Sequence, residues 1–257
     1  MKPWMRITRT EVLEHRRQPS MLFILAANYV VWIVPFGGFF ALFDRTTRDP
    51  VAMAAVQAQL AVAGIEASTL LQLAVSTFGS LLFTNLPLFV AINSGYSVLH
   101  DRTCGALPFL MLAPLTRLEL LVGKLCGAMA IPLVLHLVFV GASTVLLGRL
   151  EVLAPYAPRL GGSPAWWVAF LAGAPASAAL VGALGTVISA SSRDVRTSMQ
   201  YTSFFIGLLS LGIGFTLVDG VSRGIELQLG FAAGCLVLAG LTLLLGARII
   251  SRDITPS

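Results

Sequence analysis

The chain has 257 residues, of which 56% are hydrophobic and 11% charged, and its mean hydropathy is +0.85. A soluble domain carries about 25% charged residues, so this chain lacks the polar side chains to cover a water-facing surface and reads as an integral membrane protein. The net charge of +5 does not point to nucleic acid, because the basic residues stand in short groups between apolar runs, where membrane orientation signals belong.

The first twenty residues are polar and basic, with Trp4, Ile7 and Leu13 set against Arg6, Arg9 and Arg16. Such a segment is expected to lie along the inner leaflet as an amphipathic helix. No cleavable leader is expected: the first apolar run starts only near Met21, is too long for one and has no small-residue cleavage site after it. A helix needs about 20 apolar residues to cross the hydrocarbon core. Six stretches qualify: Met21 to Phe43, Leu70 to Leu99, Leu120 to Leu147, Trp166 to Ser189, Tyr201 to Val218 and Leu227 to Ile249. The expected fold is all-α, with six transmembrane helices.

After the first span, Asp49-Pro50 opens the run VAMAAVQAQLAVAGIEAS like a helix, with Asp as cap and Pro at the first position. The second span carries Thr77, Ser80, Thr84, Asn85 and Asn93, with Pro87 in its middle. Thr77, Ser80 and Thr84 share one helix face. They make either interhelical hydrogen bonds, about 0.6 kcal/mol per contact, or a weakly polar wall of a substrate path that also takes in Asn85 and His136. His136 is the only titratable side chain well inside a span; its alternatives are helix packing, cavity lining or a proton relay. Gly123 and Gly127 permit close approach of some helix. Trp166 and Trp167 are expected to anchor the outer interface.

Lys2, Arg6, Arg9, Arg16, Arg17, Arg102, Arg117, Lys124, Arg193, Arg196, Arg248 and Arg252 fall on one side of this arrangement, and only Arg45, Arg48, Arg149, Arg159 and Arg223 on the other. The positive-inside rule therefore places both termini in the cytoplasm. The acidic residues all lie in loops, at termini or at span ends, which argues against a carrier driven by protons or sodium. No phosphate-binding loop, HExxH or GxSxG pattern is present, so the chain is not expected to be an enzyme by itself. Cys104, Cys126 and Cys235 are far apart and imply neither a metal site nor a disulfide framework.

Between the second and third spans lies GALPFLMLAPLTRLELLVGK, residues 105–124. Its first dozen residues are too few to span, and it carries Pro108, Pro114, Arg117, Glu119 and Lys124. Such a segment suits an interface. Asp101-Arg102-x-x-Gly105-Ala-Leu107, followed by Pro114-x-x-Arg117-x-Glu119-x-x-x-Gly123-Lys124, resembles the connection between the second and third spans of ABC-2 type transporter permeases. Asp101 stands for that family's usual Glu, Ala106 for Thr, and Pro108 for a second acid. The stretch from Glu11 to Pro19 and the one from Ser189 to Gln200 resemble the family's N-terminal helix and its second cytoplasmic connection.

The resemblance implies a permease that pairs with a second permease subunit, identical or paralogous, and docks on a separate ABC ATPase. It implies one transmembrane domain over residues 1–257, with an interfacial helix at 1–20 and a coupling segment at 100–124. The implied ATPase-coupling residues are Asp101, Arg102, Gly105, Leu107, Phe109, Pro114, Arg117, Glu119 and Lys124. Arg193, Asp194 and Arg196 form a second cytoplasmic contact, and Glu11 and Arg17 belong to the N-terminal helix. No catalytic, cofactor-binding or metal residue is implied here; ATP and Mg are bound by the partner ATPase. The expected function is export of a hydrophobic or amphipathic compound from a prokaryotic inner membrane, with lipid as the other partner. The alternative is a permease-like subunit that relays ATPase motion to an extracytoplasmic partner.

Overall fold

The computed structural model describes residues 3–16, 19–112, 114–192, 194, 196–198, 200–202, 204–205 and 224–250. Among them there are helices and no strands. Helix α1 is Pro3–Arg16, α2 Pro19–Arg48, α3 Pro50–Val62, α4 Ala67–Thr103, α5 Ala106–Leu112 and α6 Arg117–Leu147. A 3-10 segment, Glu151–Arg159, leads to α7 (Pro164–Val168), a π-helical turn (Ala169–Gly173), α8 (Ala174–Ser191) and finally α9 (Ile225–Ile250). Five stretches are long and apolar enough to cross a membrane: Phe23–Arg48, Ala67–Thr103, Arg117–Leu147, Pro164–Ser191 and Ile225–Ile249. The span expected from Tyr201 to Val218 lies mostly outside the described residues.

Helix α8 is the most enclosed of these helices and α2 the least. The sequence of α8, APASAALVGALGTVISAS, is rich in small side chains. In a bilayer, where lipid is as apolar as leucine, close packing of small residues drives helix association. Helix α8 accordingly lies between α4 and α9. A methyl group at Gly182 would meet Val90 Cγ1 of α4 at 2.7 Å. Helices α2, α6 and α9 keep large apolar side chains such as Phe23, Val34, Leu137 and Leu241 exposed, as lipid-facing helices do.

Prolines within the spans each remove a helical hydrogen bond, and a neighbouring side chain answers one of them. Pro132 has no N–H for the Ala128 carbonyl, and Asn93 Nδ2 of α4 donates to that oxygen at 3.4 Å. Pro175 follows the π-helical turn, where the Ala174 N–H is given to the Ala169 carbonyl. The Phe170 carbonyl thus has no helical donor. It lies beside the His136 ring, which stacks on the Phe170 ring with centroids 6.1 Å apart.

The N-terminal helix, expected from the sequence to lie along the inner leaflet, has a protein neighbour. Helix α1 packs on α6, with Ile7 and Glu11 buried and Arg6, Arg9 and Leu13 outward. Gly123 and Gly127 make this approach possible. A methyl group at Gly123 would meet Ile7 Cβ at 2.9 Å, and one at Gly127 would meet Glu11 Cγ at 2.8 Å. Thr8 Oγ1 donates to the Gly123 carbonyl at 3.2 Å. Trp166 is also placed differently from expectation: it is buried, stacked on Phe170 at 4.2 Å, while Trp167 Nε1 donates to the Gly161 carbonyl at 2.8 Å.

Gly127→Leu is expected to push α1 off α6 and raise hydrogen exchange of the α1 amides by about tenfold or more. Gly141→Leu, on the same helix but with nothing within 4 Å of its added Cβ, leaves α1 protection unchanged.

Candidate functional site

The α4–α5–α6 joint forms at the end of the molecule that carries α1. Helix α4 ends with Cys104 N–H on the His100 carbonyl at 2.9 Å, and Gly105 then takes φ +72°. Glycine carries no Cβ penalty in this left-handed conformation, which closes a helix and reverses the chain. Pro108 occupies the third position of α5. There its missing N–H costs no helical bond, so this proline is compatible with the short helix. Pro114 stands exposed between α5 and α6.

Helix α6 starts with a reciprocal cap. Thr116 N–H donates to Glu119 Oε2 at 2.9 Å, and Glu119 N–H donates to Thr116 Oγ1 at 3.2 Å. The sequence reading put Glu119 among the docking charges. Its carboxylate is taken up by this cap, a T-x-x-E signature that residues 116–119 display openly. Arg117 is half-buried and has no carboxylate partner among the described residues. Leu112 is 83% exposed, while Leu107 and Leu110 are half-buried. Phe109 lies in α5.

Beneath the joint, about two turns into α6, three charges meet inside the protein. Lys124 Nζ is paired with Glu11 of α1 and lies 2.5 Å from Asp101 Oδ2 of α4, with the Ser97 carbonyl at 3.5 Å. All three side chains are at least nine-tenths buried. Asp101 and Lys124 therefore sit inside rather than at a rim where a partner subunit would meet them. Two carboxylates share one ammonium here, and at Glu11 the cost of burial outweighs the attraction of Lys124 and holds the carboxyl above its usual range.

Arg102, next to Asp101, points elsewhere. Its guanidinium donates to the Ala190 carbonyl at 2.7 Å and the Ser192 carbonyl at 2.9 Å. Those oxygens end α8, where a helix presents unpaired carbonyls and partial negative charge. Ser189 Oγ accepts from Leu99 N–H at 3.0 Å, and Ser198 Oγ donates to the Gly95 carbonyl at 2.6 Å. The second connection is thereby fastened to α4. Asp194 caps the turn after it, accepting from Thr197 N–H at 2.8 Å and Thr197 Oγ1 at 2.7 Å. These donors hold its carboxyl below the usual range. Arg196 is exposed; Arg17 and Arg193 lie outside the described residues.

The possible substrate-path residues do not form one wall. Thr77 is exposed, Ser80 and Thr84 are half-buried, and the Thr84 hydroxyl bonds back to the Ser80 carbonyl at 2.9 Å. Asn85 and His136 are buried on the inner side of α4 and α6. The antiparallel register set by Asn93 with Ala128, and by Ser97 with Lys124, brings Asn85 level with His136. Tyr29 Oη lies 3.4 Å from His136 Nδ1. Asn85 Nδ2 and His136 Nε2 have no partner at full hydrogen-bonding geometry.

Several apolar helices of spanning length, a leading helix folded onto one of them, and a capped helical joint over a charged knot define a multi-pass membrane subunit of permease type. The family model described as ABC-2 family transporter protein matches residues 5–247, and the chain belongs to that family. A comparison with curated proteins gives no match. Membrane subunits of this family are generally not themselves catalytic and typically work with an ATPase subunit.

Lys124→Met leaves Glu11 and Asp101 buried without their cation. The expected loss of stability is about 3–5 kcal/mol, read as a lowered Tm of the purified protein in detergent. Adding Glu11→Gln and Asp101→Asn to Lys124→Met removes the orphaned charges and is expected to recover more than half of that loss.

Proposed function

We propose that this permease is the membrane half of an exporter for a hydrophobic or amphipathic compound. A separate ATPase supplies the energy, and a second permease, identical or paralogous, completes the pathway. Both termini and the α4–α5–α6 joint face the cytoplasm of a prokaryotic cell, and six helices cross its inner membrane. ATP and Mg are held by the ATPase. The observation that carries this reading is the joint itself: an exposed Leu112 and an Arg117 without a carboxylate partner among the described residues stand on a short helix–turn between two long spans. An apolar anchor with a charge at its edge suits a protein interface.

In this proposal α5 and the start of α6 form the contact, with Leu107, Leu112, Pro114 and Arg117 toward the ATPase. Gly105 sets the angle of α5, and Asp194 and Arg196 offer a second, smaller contact. Glu11, Asp101, Arg102, Glu119 and Lys124 act behind this surface by keeping α1, α4, α6 and α8 in register, so that displacement of α5 moves spans rather than bending a loop. Thr77, Ser80 and Thr84, on the outward side of α4, contribute to a wall shared with the second permease. Asn85 and His136 belong to the polar interior beside it.

The test is co-purification from membranes with the ATPase co-expressed. The ATPase is expected to come down with the wild-type chain. Arg117→Glu is expected to weaken that association about tenfold, equivalent to roughly 1.4 kcal/mol, and to lower stimulated ATP hydrolysis. Unchanged co-purification together with unchanged stimulation removes Arg117 and the joint from the contact. Thr84→Leu, expected to alter export while the complex persists, checks the shared wall.

A further inference from the structure

At the end of the molecule away from α1, the last turn of α6 and the following segment border a half-open cavity of about 480 Å³. That volume falls in the range of small-molecule sites. Its walls are mainly apolar, with Leu147, Leu150, Leu153 and Leu160 among the lining residues. Leucine walls do not hold water in place, since a retained water needs several polar partners.

The charges around this cavity are unbalanced. Arg149 lines it, and Arg159 stands between the lining residues Ala157 and Leu160. Neither arginine has a carboxylate partner among the described residues, and Arg159 Nη1 is buried without a hydrogen bond. The one acidic lining residue, Glu151, is engaged by Arg48 at 3.4 Å. The same Arg48 is held by Asp44 at 2.9 Å, whose other oxygen accepts from Val152 N–H at 3.0 Å. Among the described residues Arg48, Arg149 and Arg159 thus stand with two acids, Asp44 and Glu151, and one positive charge is in excess.

The cavity also has a definite depth. It lies at the far ends of α2 and α6, helices of 30 and 31 residues, each longer than the hydrocarbon core requires. Half-buried Trp167 donates to the Gly161 carbonyl at the cavity wall, and tryptophan is enriched at headgroup depth. Apolar walls, surplus positive charge and headgroup depth occur together here.

We propose that this cavity is a binding site for an anionic membrane lipid, with acyl carbons along the leucines and the headgroup against Arg149 and Arg159. The site stands independently of the export proposal. A soluble anion would satisfy the arginines but leave the leucine walls wet, and a neutral lipid would fill the walls but leave the arginines unmatched.

The test uses the full chain with Trp4→Phe and Trp32→Phe, so that Trp166 and Trp167 report on the site. It is reconstituted in phosphatidylcholine discs containing about 10 mol % of phosphatidylglycerol brominated on its acyl chains, or the same fraction of brominated phosphatidylcholine. Brominated phosphatidylglycerol is expected to quench about fivefold more strongly, because arginine at headgroup depth favours anionic lipid. Adding Arg149→Gln and Arg159→Gln abolishes the preference. Ala154→Phe, which fills part of the cavity, reduces quenching with both arginines present. Equal quenching by the two lipids in the protein with native arginines overturns the proposal, whatever the variants do. A preference that survives loss of both arginines overturns the headgroup assignment, and one abolished by millimolar inorganic phosphate shows a free-anion site instead. No ATPase or transport enters the measurement, so its failure leaves the export proposal standing, and failure of the ATPase pulldown leaves this site standing.

Discussion

Lys124 is the constraint on which one end of this protein depends. It sits in α6, and its two carboxylate partners come from α1 and α4. Taking such charges out of water is costly, and apolar residues of the same volume are often at least as stabilising. What ions supply in return is direction. An ammonium flanked by Glu11 and Asp101 tolerates only one relative placement of the three helices, whereas leucines tolerate sliding. The packing around the knot depends on that placement: Gly123 and Gly127 admit α1 only where Ile7 and Glu11 face them. Polar and steric terms therefore select the same register, the agreement between levels that marks a well-specified fold.

A second set of contacts carries that register inward. Arg102 satisfies carbonyls that would otherwise be unpaired at the end of α8, and Ser189 accepts from the α4 backbone. One proline-released carbonyl is treated likewise, with Asn93 donating to Ala128. In a bilayer each unmet backbone group costs several kcal/mol, so every helix end or proline kink creates a demand that one neighbour at one height can meet. The mild polar residues of α4 include such satisfiers. Asn93 meets a proline's demand, while Thr84 spends its hydroxyl on its own helix.

The described spans were legible in the sequence because an apolar run of bilayer length needs no knowledge of neighbours. The same holds for the Asp49 cap of α3, which is formed by local donors at 3.0 and 3.3 Å. Partner choice was not legible. Lys124 and Glu11 are 113 residues apart, and nothing in either segment states which of several carboxylates the lysine will meet. Asp101-Arg102 reads as one charged pair along the chain, yet consecutive helical residues point about 100° apart. One side chain goes to α6 and the other to the end of α8. Trp166 misled for a related reason: a tryptophan after a polar loop suits an interface anchor, but the π-helical turn places its ring on Phe170. The helix that Gly123 and Gly127 admit also had to be seen, since small residues advertise closeness without naming a partner.

The length of α4 connects the knot to the proposed work of the molecule. Its 37 residues make a rod of about 55 Å, against a hydrocarbon core of about 30 Å. In the proposed orientation the excess lets its last turns, with Asp101 and Arg102, stand clear of the acyl chains, where charge is desolvated only by the protein around it. A load applied to α5 meets α4 at its capped end and α6 at its reciprocal Thr116–Glu119 cap, both fixed rather than frayed. Behind these caps Lys124 ties the two rods together and Arg102 ties α4 to α8. Displacement of the joint must then move α1, α4, α6 and α8 together or break these buried contacts. Under the proposed coupling this stiffness is required, because a joint able to yield locally would absorb the motion applied to it.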